Sequence, residues 1–163
     1  MVAEGDDAPD FTAPLATGEL EEFTLSDRLD DGPVVLAFFP GAFTSVCTGE
    51  MQTFRDRLDN FTGEAQLYGV SVDSPFSLNE FRAQNDLPFD LVSDQTGEIA
   101  EAYDVALDLS ALGVPGVEEG DVTIAERAVF VVNADGEVTY RWVGETPGVE
   151  PDYEAVETAA ADA

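Results

Sequence analysis

The chain has 163 residues, 44% of them hydrophobic, and its 35 acidic and six basic side chains give a formal net charge of −29. This length and apolar content predict one folded domain over residues 1–163 and exclude an acidic disordered chain. The surplus of acids excludes nucleic acids and anionic membranes as partners, because both require basic patches.

The residue types that are absent exclude further classes of chemistry. No histidine is present, which excludes Ser-His-Asp and Cys-His catalysis and the usual zinc sites. No lysine is present, which excludes a Walker A loop and Schiff-base chemistry. Cys47 is the single cysteine, so an internal disulfide, a CxxC pair and a cysteine-ligated cluster are excluded. We therefore expect no metal and no cofactor, and one thiol remains for covalent chemistry.

All six basic residues are arginines, and the acidic composition resembles that of cytoplasmic proteins from salt-accumulating halophiles. At about 1 M salt the Debye length falls to about 3 Å, which largely removes the self-repulsion of such a chain. The acidic stretch MVAEGDDAPDF lacks the apolar region of a signal peptide, and no apolar run approaches the ~18 residues of a membrane span. We therefore expect a cytoplasmic protein.

The first predicted elements are two short strands, a helical turn and a buried strand. The stretch DFTAPLATGELEEFTL is typical of a hairpin that turns at Thr17 and Gly18. Ser26 can cap a brief helical turn that Gly32 ends. Residues 33–39 form a continuous apolar run with β-branched side chains, which indicates a strand buried on both faces.

A long helix is predicted next, with Thr44 or Ser45 at its N-cap. Apolar residues recur there at spacings that place them on one helical face; they are Cys47, Met51, Phe54, Leu58 and Phe61. The rest of the chain alternates strand and helix signals and ends in a hairpin and a helix. A strand is predicted at 66–72, followed by a helix that a capping box at Ser77 to Glu80 opens and that reaches Asp86. A strand FDLVSD and a helix TGEIAEAYDV come next. The chain then forms a hairpin of 127–132 and EVTYRWVG, which turns at Asp135 and Gly136, and a last helix whose first residue is Pro151.

This order of elements predicts an α/β fold. Alternating strands and helices followed by a hairpin imply a mixed central sheet covered by helices, a three-layer α/β/α sandwich with an N-terminal β-hairpin extension. The strand that Pro40 ends would place Cys47 at the carboxyl end of a central strand, where α/β folds place their sites.

Cys47 allows two interpretations. A buried cysteine usually behaves as a small hydrophobic residue, and Cys47 begins the apolar stripe as a core residue would. It also lies in the first turn of the predicted helix, where free backbone N–H groups and the helix dipole favour an anion such as a thiolate. Thr44 could hold an oxygen substrate beside the sulfur, cap the helix, or do both, and Pro40 could shield the sulfur or simply end the strand.

Pro40, Thr44 and Cys47 fit the pattern P-x-x-x-[T/S]-x-x-C, and with the surrounding stretch FFPGAFTSVCTGEM they resemble the signature of the peroxiredoxin family. Three further blocks resemble that family in the same order: GDDAPDFTAPLATGE, LPFDLVSDQTGEIAEAYDV and ERAVFVVNADGEVTYRWVG. The resemblance covers nearly the whole chain, and it implies a thioredoxin-like fold with thiol peroxidase activity.

The resemblance also implies roles for individual residues. The Cys47 thiolate would attack the terminal oxygen of hydrogen peroxide or an organic hydroperoxide and become a sulfenic acid. Thr44 would hold the peroxide together with the backbone N–H groups of Val46 and Cys47, and Arg127 would stabilise the thiolate and the developing charge. Alternatively, Arg127 would form a surface ion pair, which contributes about 0–1 kcal/mol.

Three more residues take supporting roles in the same resemblance. Glu50 would orient the arginine, and a solvated helix face is its alternative. Phe43 belongs to the signature stretch beside the threonine. Trp142 resembles a packing residue near the site, and packing in the core or at an interface is its expected role.

The sequence departs from many peroxiredoxins because it has no resolving cysteine. Gln52 stands five residues after Cys47, where part of the family has that second cysteine. The chain therefore resembles the one-cysteine members, near the alkyl hydroperoxidase E and bacterioferritin-comigratory types. Their sulfenic acid is reduced by an external thiol, either a thioredoxin- or glutaredoxin-like protein or a small thiol. A homodimer is the expected assembly.

Two other functions stay open from the sequence: a non-catalytic redox sensor or holdase on the same fold, and a thioredoxin-fold binding module with an inert cysteine. Residues 106–124 carry no recognised motif and are expected to form a loop and a dimer or rim contact. The glycosylation sequon Asn60-Phe61-Thr62 is interpreted as chance, since Phe61 lies on the core stripe.

Overall fold

The structure is a computed structural model that describes residues 1–61 and 63–163, and these form nine β-strands and five α-helices. In chain order they are β1 (Thr12–Ala16), β2 (Leu20–Thr24), α1 (Leu25–Arg28), β3 (Val34–Phe38), α2 (Ser45–Asp56), β4 (Gln66–Ser71), α3 (Pro75–Gln84), β5 (Asp90–Ser93), α4 (Glu98–Ala102), β6 (Ala106–Asp108), β7 (Thr123–Ala125), β8 (Ala128–Val132), β9 (Val138–Val143) and α5 (Tyr153–Asp162). Short 3₁₀ turns lie at Leu29–Asp31, Leu58–Asn60 and Leu109–Leu112.

Seven strands form one mixed sheet in the order β2-β1-β5-β4-β3-β8-β9. Strands β3, β4 and β5 are parallel, and the remaining neighbours in this sheet pair antiparallel. The N-terminal hairpin β1–β2 extends the sheet because β1 pairs with β5. The predicted mixed sheet, its N-terminal hairpin and its later hairpin β8–β9 are therefore confirmed.

Strand β3 is buried along its whole length, as its continuous apolar run predicts. Its side chains alternate between two apolar clusters, with Leu36 and Phe38 in one and Val35 and Ala37 in the other. Helices α1 and α4 contribute to the first cluster, and α2, α3 and α5 contribute to the second. Helices therefore cover both faces of the sheet, which confirms the three-layer α/β/α sandwich.

Helix α2 carries the predicted apolar stripe over its first part. Cys47, Met51 and Phe54 are buried on it, which confirms their predicted face. The helix ends at Asp56, so Leu58 and Phe61 reach the same cluster from a 3₁₀ turn and the residue that follows it, and they stay only partly buried.

Three predicted helix starts are wrong by a few residues, because another polar side chain satisfies the first N–H groups. Asp10 accepts hydrogen bonds from the backbone N and the hydroxyl of Ser26, at 2.9 and 2.8 Å, so Ser26 lies inside α1 rather than capping it. The N-cap of α3 is Ser74, whose hydroxyl accepts from Ser77 N at 3.1 Å, and this helix ends at Gln84. Helix α5 begins after an Asp152 cap, two residues later than Pro151.

The segment 106–124 is more ordered than a loop. Strands β6 and β7 pair antiparallel, and the Asp108 carboxylate accepts from the backbone N of Ser110 and of Gly120. The prediction of a loop is therefore wrong at both ends of this segment, where β6 and β7 lie. The sequon ends at Thr62, which lies outside the described residues, and none of the described helices has the length and apolarity to cross a membrane.

Candidate active site

Cys47 lies in the first turn of α2, which follows the buried strand β3 through the loop 39–44. The side chain is 1% exposed and belongs to the apolar cluster between the sheet and helices α2, α3 and α5. Cys47 is therefore a buried core residue, and it also lies in the first helical turn after a central strand. The structure is compatible with both interpretations of this cysteine, since one position does not exclude the other.

Arg127 reaches the same point from the neighbouring strand. It directly precedes β8, and the antiparallel register pairs Ala128 with Phe38 at the end of β3. Its guanidinium is buried, with Nη2 donating to Cys47 Sγ at 3.2 Å and Nη1 donating to Glu50 Oε1 at 2.7 Å. Because both contacts are buried, the alternative of a surface ion pair for Arg127 is wrong.

Glu50 lies one turn after Cys47 on α2 and is fully buried. Burial raises the pKa of Glu50 to about 7, although the attraction of Arg127 opposes this shift, and Glu150 adds to it by repulsion. The second carboxylate oxygen, Oε2, is buried and has no hydrogen-bond partner among the described residues. The predicted contact of Glu50 with the arginine is thus present, and the alternative of a solvated helix face is wrong.

The charge of Arg127 is maintained in spite of its burial. Burial pulls the pKa of the guanidinium down, but Glu50 and Cys47 together raise it above its ordinary value. A fixed positive charge therefore faces the sulfur in a buried site, where it stabilises an anion more strongly than it would at the surface.

Thr44 occupies the N-cap position of α2 without capping it. Its side chain is exposed, and its hydroxyl donates to Gly41 O at 2.8 Å instead of accepting from the first helical N–H groups. Since the first helical hydrogen bond runs from Thr48 N to Thr44 O, the N–H groups of Val46 and Cys47 precede it and are available to a bound oxygen. The alternative role of Thr44 as a side-chain cap is not what the structure shows.

The loop before α2 is fixed by residues on both sides. Pro40 is half-buried just after β3. Phe43 has a φ of 68°, an unusual backbone conformation for a residue other than glycine, and its ring is 52% exposed while packing edge-on against Phe81. Asp73 was not predicted from the sequence; its carboxylate accepts from Ala42 N at 2.8 Å and ties the loop to the end of β4.

A second residue that sequence analysis missed is Pro147. Its carbonyl accepts from Arg127 Nε at 3.1 Å and from Nη2 at 2.8 Å, while Gly144 N donates to Arg127 O at 2.8 Å. The turn after β9 therefore holds the guanidinium from the side opposite to Glu50. A backbone acceptor such as the Pro147 carbonyl cannot be recognised from the sequence. Asp73 could have been considered, because it is a polar residue close to the end of the predicted strand at 66–72.

Trp142 and Gln52 lie near the site without contacting its charged groups through hydrogen bonds. Trp142 is on β9, opposite Val129 of β8, and packs partly buried on the cluster that contains Cys47. Gln52 donates from Nε2 to Asn85 Oδ1 at 2.9 Å and so joins α2 to the end of α3. Gln52, which stands where part of the peroxiredoxin family has a resolving cysteine, thus links two helices.

The described residues contain no cluster of three or more metal-ligating side chains. What the site offers is one buried sulfur, one guanidinium and backbone N–H donors at a helix N-terminus. This set can stabilise an anionic sulfur nucleophile and negative charge on an oxygen substrate beside it.

Comparisons with known proteins agree with this chemistry. The AhpC/TSA family matches residues 4–141 of this chain. A thiol peroxidase from Listeria monocytogenes serotype 4b is 33% identical over 159 residues, covering 96% of this chain and 86% of the relative. A putative peroxiredoxin from Mycobacterium tuberculosis is 35% identical over 135 residues, covering 82% of this chain and 80% of the relative.

The fold agrees with solved structures as well. The crystal structure of peroxidoxin BcpB from Mycobacterium tuberculosis superposes with a TM-score of 0.80 and 28% identity, covering 99% of this chain and 98% of the other. Reduced 2-Cys peroxiredoxin from Plasmodium vivax gives a TM-score of 0.82 at 23% identity, which shows the fold alone.

Proposed function

Because the chain belongs to the AhpC/TSA family of peroxiredoxins, we propose that Cys47 is the residue through which it reduces peroxides. The protein is a thiol-dependent peroxidase, as its similarity to thiol peroxidases and peroxiredoxins over most of its length indicates. The observation that carries the assignment of Cys47 is its contact with the buried guanidinium of Arg127, 3.2 Å from Sγ to Nη2.

The first step is an attack of the Cys47 thiolate on the terminal oxygen of a peroxide. A new S–O bond forms as the O–O bond breaks, which leaves a sulfenic acid on Cys47 and releases water or an alcohol. Arg127 stabilises the thiolate before the step and the charge on the two oxygens during it. This is preorganised stabilisation, since Glu50 and Pro147 hold the guanidinium in place before any substrate arrives.

Thr44 and the helix N-terminus bind the peroxide in this proposal. The Thr44 hydroxyl donates its proton to Gly41 O, so its oxygen remains free to accept a hydrogen bond from the peroxide. The N–H groups of Val46 and Cys47 donate to the peroxide oxygens. Pro40 and Phe43 border this position and limit the access of water to the sulfur.

The second half of the cycle requires an outside thiol. Cys47 is the single cysteine of the sequence, which fits a one-cysteine mechanism. Two equivalents of external thiol reduce the sulfenic acid, releasing water and a disulfide and restoring the thiolate. The donor is a thioredoxin- or glutaredoxin-like protein or a small thiol.

We place this protein in a reducing, cytoplasmic compartment of high salt, as a homodimer. A cycle that depends on free thiols favours a reducing compartment, and the net charge of −29 favours salt. A two-fold homodimer is the commonest assembly among soluble oligomers. Residues 1–163 act as one domain in this proposal.

The proposed function is tested by following hydrogen peroxide consumption in molar KCl with each thiol donor in turn. The wild type is expected to turn over many times and Cys47→Ser not at all above background. Equal rates for the two proteins would exclude Cys47 as the reacting residue. A single stoichiometric oxidation of Cys47 without turnover, whichever donor is used, would instead indicate a redox sensor.

A further inference from the structure

The buried site contains more acid groups than its one cation can balance. Cys47 and Glu50 both hydrogen-bond to the guanidinium of Arg127, the sulfur to Nη2 and the carboxyl to Nη1. If the thiol and the carboxyl were both ionised, the three buried groups would carry one uncompensated negative charge. Such a charge is strongly unfavourable in a site that excludes water.

The environment of Glu50 favours its neutral form from several directions. Among the described residues, Arg127 is the one cation that contacts the carboxyl, and Cys47 competes for it from the same helix. Glu150, on the segment before α5, repels the ionised form, and Tyr153 on α5 donates its hydroxyl to Glu150 at 2.7 Å rather than to Glu50. Burial adds to this preference and raises the pKa of Glu50 to about 7.

The hydrogen bonds of Glu50 fit a protonated carboxyl. Oε1 accepts from Arg127 Nη1, which the carbonyl oxygen of a carboxylic acid can do as well as a carboxylate can. Oε2 is buried and has no hydrogen-bond partner among the described residues. An ionised oxygen in this position would lose its hydration without any replacement, so the proton belongs on Oε2.

We propose that Glu50 holds the proton that the leaving oxygen of the peroxide receives. Glu50 is a neutral acid while Cys47 is a thiolate, and it ionises when Cys47 becomes a sulfenic acid. The inference rests on the proposed peroxidase function of Cys47. Oxidation removes the negative charge from the sulfur, so Arg127 becomes free to balance a Glu50 carboxylate. Glu50 is a proton-holding residue that acts through the shared guanidinium.

The step balances without an outside acid. The thiolate, the peroxide ROOH and the Glu50 carboxylic acid give a sulfenic acid, the alcohol or water ROH and the Glu50 carboxylate. The sulfur lone pair forms the S–O bond, the O–O bond breaks toward the leaving oxygen, and that oxygen receives the proton. Two external thiols then return the site to its starting state, giving a disulfide and water, and the proton returns to Glu50.

Counting protons during a single oxidation tests the inference. Reduced protein, freed of external thiol, receives one equivalent of hydrogen peroxide in weakly buffered KCl with a pH indicator, at a pH where ultraviolet absorbance shows Cys47 as thiolate. The wild type should take up almost no proton from the solution, whereas Glu50→Gln should take up about one per sulfenic acid formed, scaled to its thiolate fraction. Glu101→Gln, which removes an exposed acid of α4, is the matched control and should behave as the wild type.

Infrared difference spectra of the wild type provide a second measurement that needs no variant. Oxidation should remove a carboxylic acid C=O band and add carboxylate bands, and this change should be absent from Cys47→Ser. Uptake of about one proton by the wild type, or an unchanged carboxylic acid band, would overturn the inference. Chemical trapping of the sulfenic acid distinguishes failure of the proposed function from failure of this inference. If no sulfenic acid forms, the proposed function is wrong. If it forms and the wild type takes up a proton, only the role of Glu50 is wrong.

Discussion

Arg127 and Cys47 meet inside the protein rather than at its surface, with Nη2 3.2 Å from Sγ and both side chains at most 2% exposed. The two residues are 80 positions apart in sequence and are brought together because β8 pairs with β3. The guanidinium is held at the same time by Glu50 Oε1 and Pro147 O. Its planar group thus serves three acceptors, which a single ammonium group cannot do with the same geometry.

Arg127→Lys should therefore slow the oxidation of Cys47 although it keeps the charge. Loss of one preorganised donor typically lowers a rate by about 10²- to 10³-fold, and we expect about 100-fold here. The measurement is the second-order rate constant with hydrogen peroxide under single-turnover conditions. Arg141→Lys, on β9 and outside the site, is the control and should stay within about threefold of the wild type. If Arg127→Lys reacted with hydrogen peroxide as fast as Arg141→Lys, the proposed role of the Arg127 guanidinium in the oxidation of Cys47 would be wrong.

Thr44→Val should lower kcat/KM for peroxide, because it removes the hydroxyl that we propose holds the substrate. The loss of a hydrogen bond of about 1–3 kcal/mol corresponds to a decrease of roughly 5- to 150-fold, and Thr44→Ser should recover most of it. Thr48→Val is a matched control, since the Thr48 hydroxyl donates to Thr44 O at 2.7 Å in the same helical turn. If Thr48→Val impaired activity as much as Thr44→Val, the effect would belong to helix stability and not to substrate binding.

The raised pKa of Glu50 also predicts a pH dependence of stability. The folded protein binds this proton more tightly than the unfolded chain does, so the stabilising contribution is complete below about pH 4.5 and is lost as the pH rises through about 7. A pKa raised from 4.5 to about 7 corresponds to about 3 kcal/mol. Urea unfolding of the reduced protein at a series of pH values, in a fixed molar concentration of KCl, measures this change in the free energy of unfolding.

The comparison that isolates this contribution is between the wild type and Glu50→Gln, which cannot titrate at this position. Between about pH 5 and about pH 8 the wild type should lose about 2–3 kcal/mol relative to the variant. Titration of the many surface acids is common to both proteins and cancels in the difference, as Glu101→Gln should verify. Parallel stability curves for the wild type and Glu50→Gln would show that the folded state does not raise this pKa.

Much of the fold follows from local sequence patterns. The apolar run at 33–39 is enough to predict a strand buried on both faces, and the recurrence of Cys47, Met51 and Phe54 is enough to predict the buried face of α2. Helix starts were less predictable because several polar residues compete for the cap. Asp10, which binds Ser26 across 16 positions, cannot be recognised from the residues next to the helix.

The candidate site was predictable where side chains form it and unpredictable where backbone atoms do. The spacing of Pro40, Thr44 and Cys47 indicated the loop and the helix start, and the resemblance to peroxiredoxins indicated Arg127 as the cation beside the sulfur. The Pro147 carbonyl gives no such signal, since any residue could supply it. The choice between a solvated and a buried Glu50 depends on the pairing of β8 with β3, which brings Arg127 to α2 and is not encoded in the residues next to Glu50.

The acidic surface predicts that the protein needs salt. The six arginines leave a formal surplus of 29 negative charges, and one of them, Arg127, is buried beside Glu50 and Cys47 and does not offset the exposed acids. Since salt at about 1 M shortens the Debye length to about 3 Å, the repulsion among exposed acids should fall steeply between dilute buffer and molar KCl. A gain of about 2 kcal/mol would raise Tm by roughly 4–8 °C in a chain of this length.

Removing acids should have the same effect as adding salt. Glu118 and Glu119 are exposed neighbours between β6 and β7, and the double variant Glu118→Gln with Glu119→Gln should melt at a higher temperature than the wild type in dilute buffer. Its Tm should also rise less between dilute buffer and molar KCl. Sucrose at equal osmolality is the control for general exclusion effects, which act on both proteins equally. A Tm that does not change with KCl would contradict the adaptation to salt, because repulsion among exposed charges cannot be independent of screening.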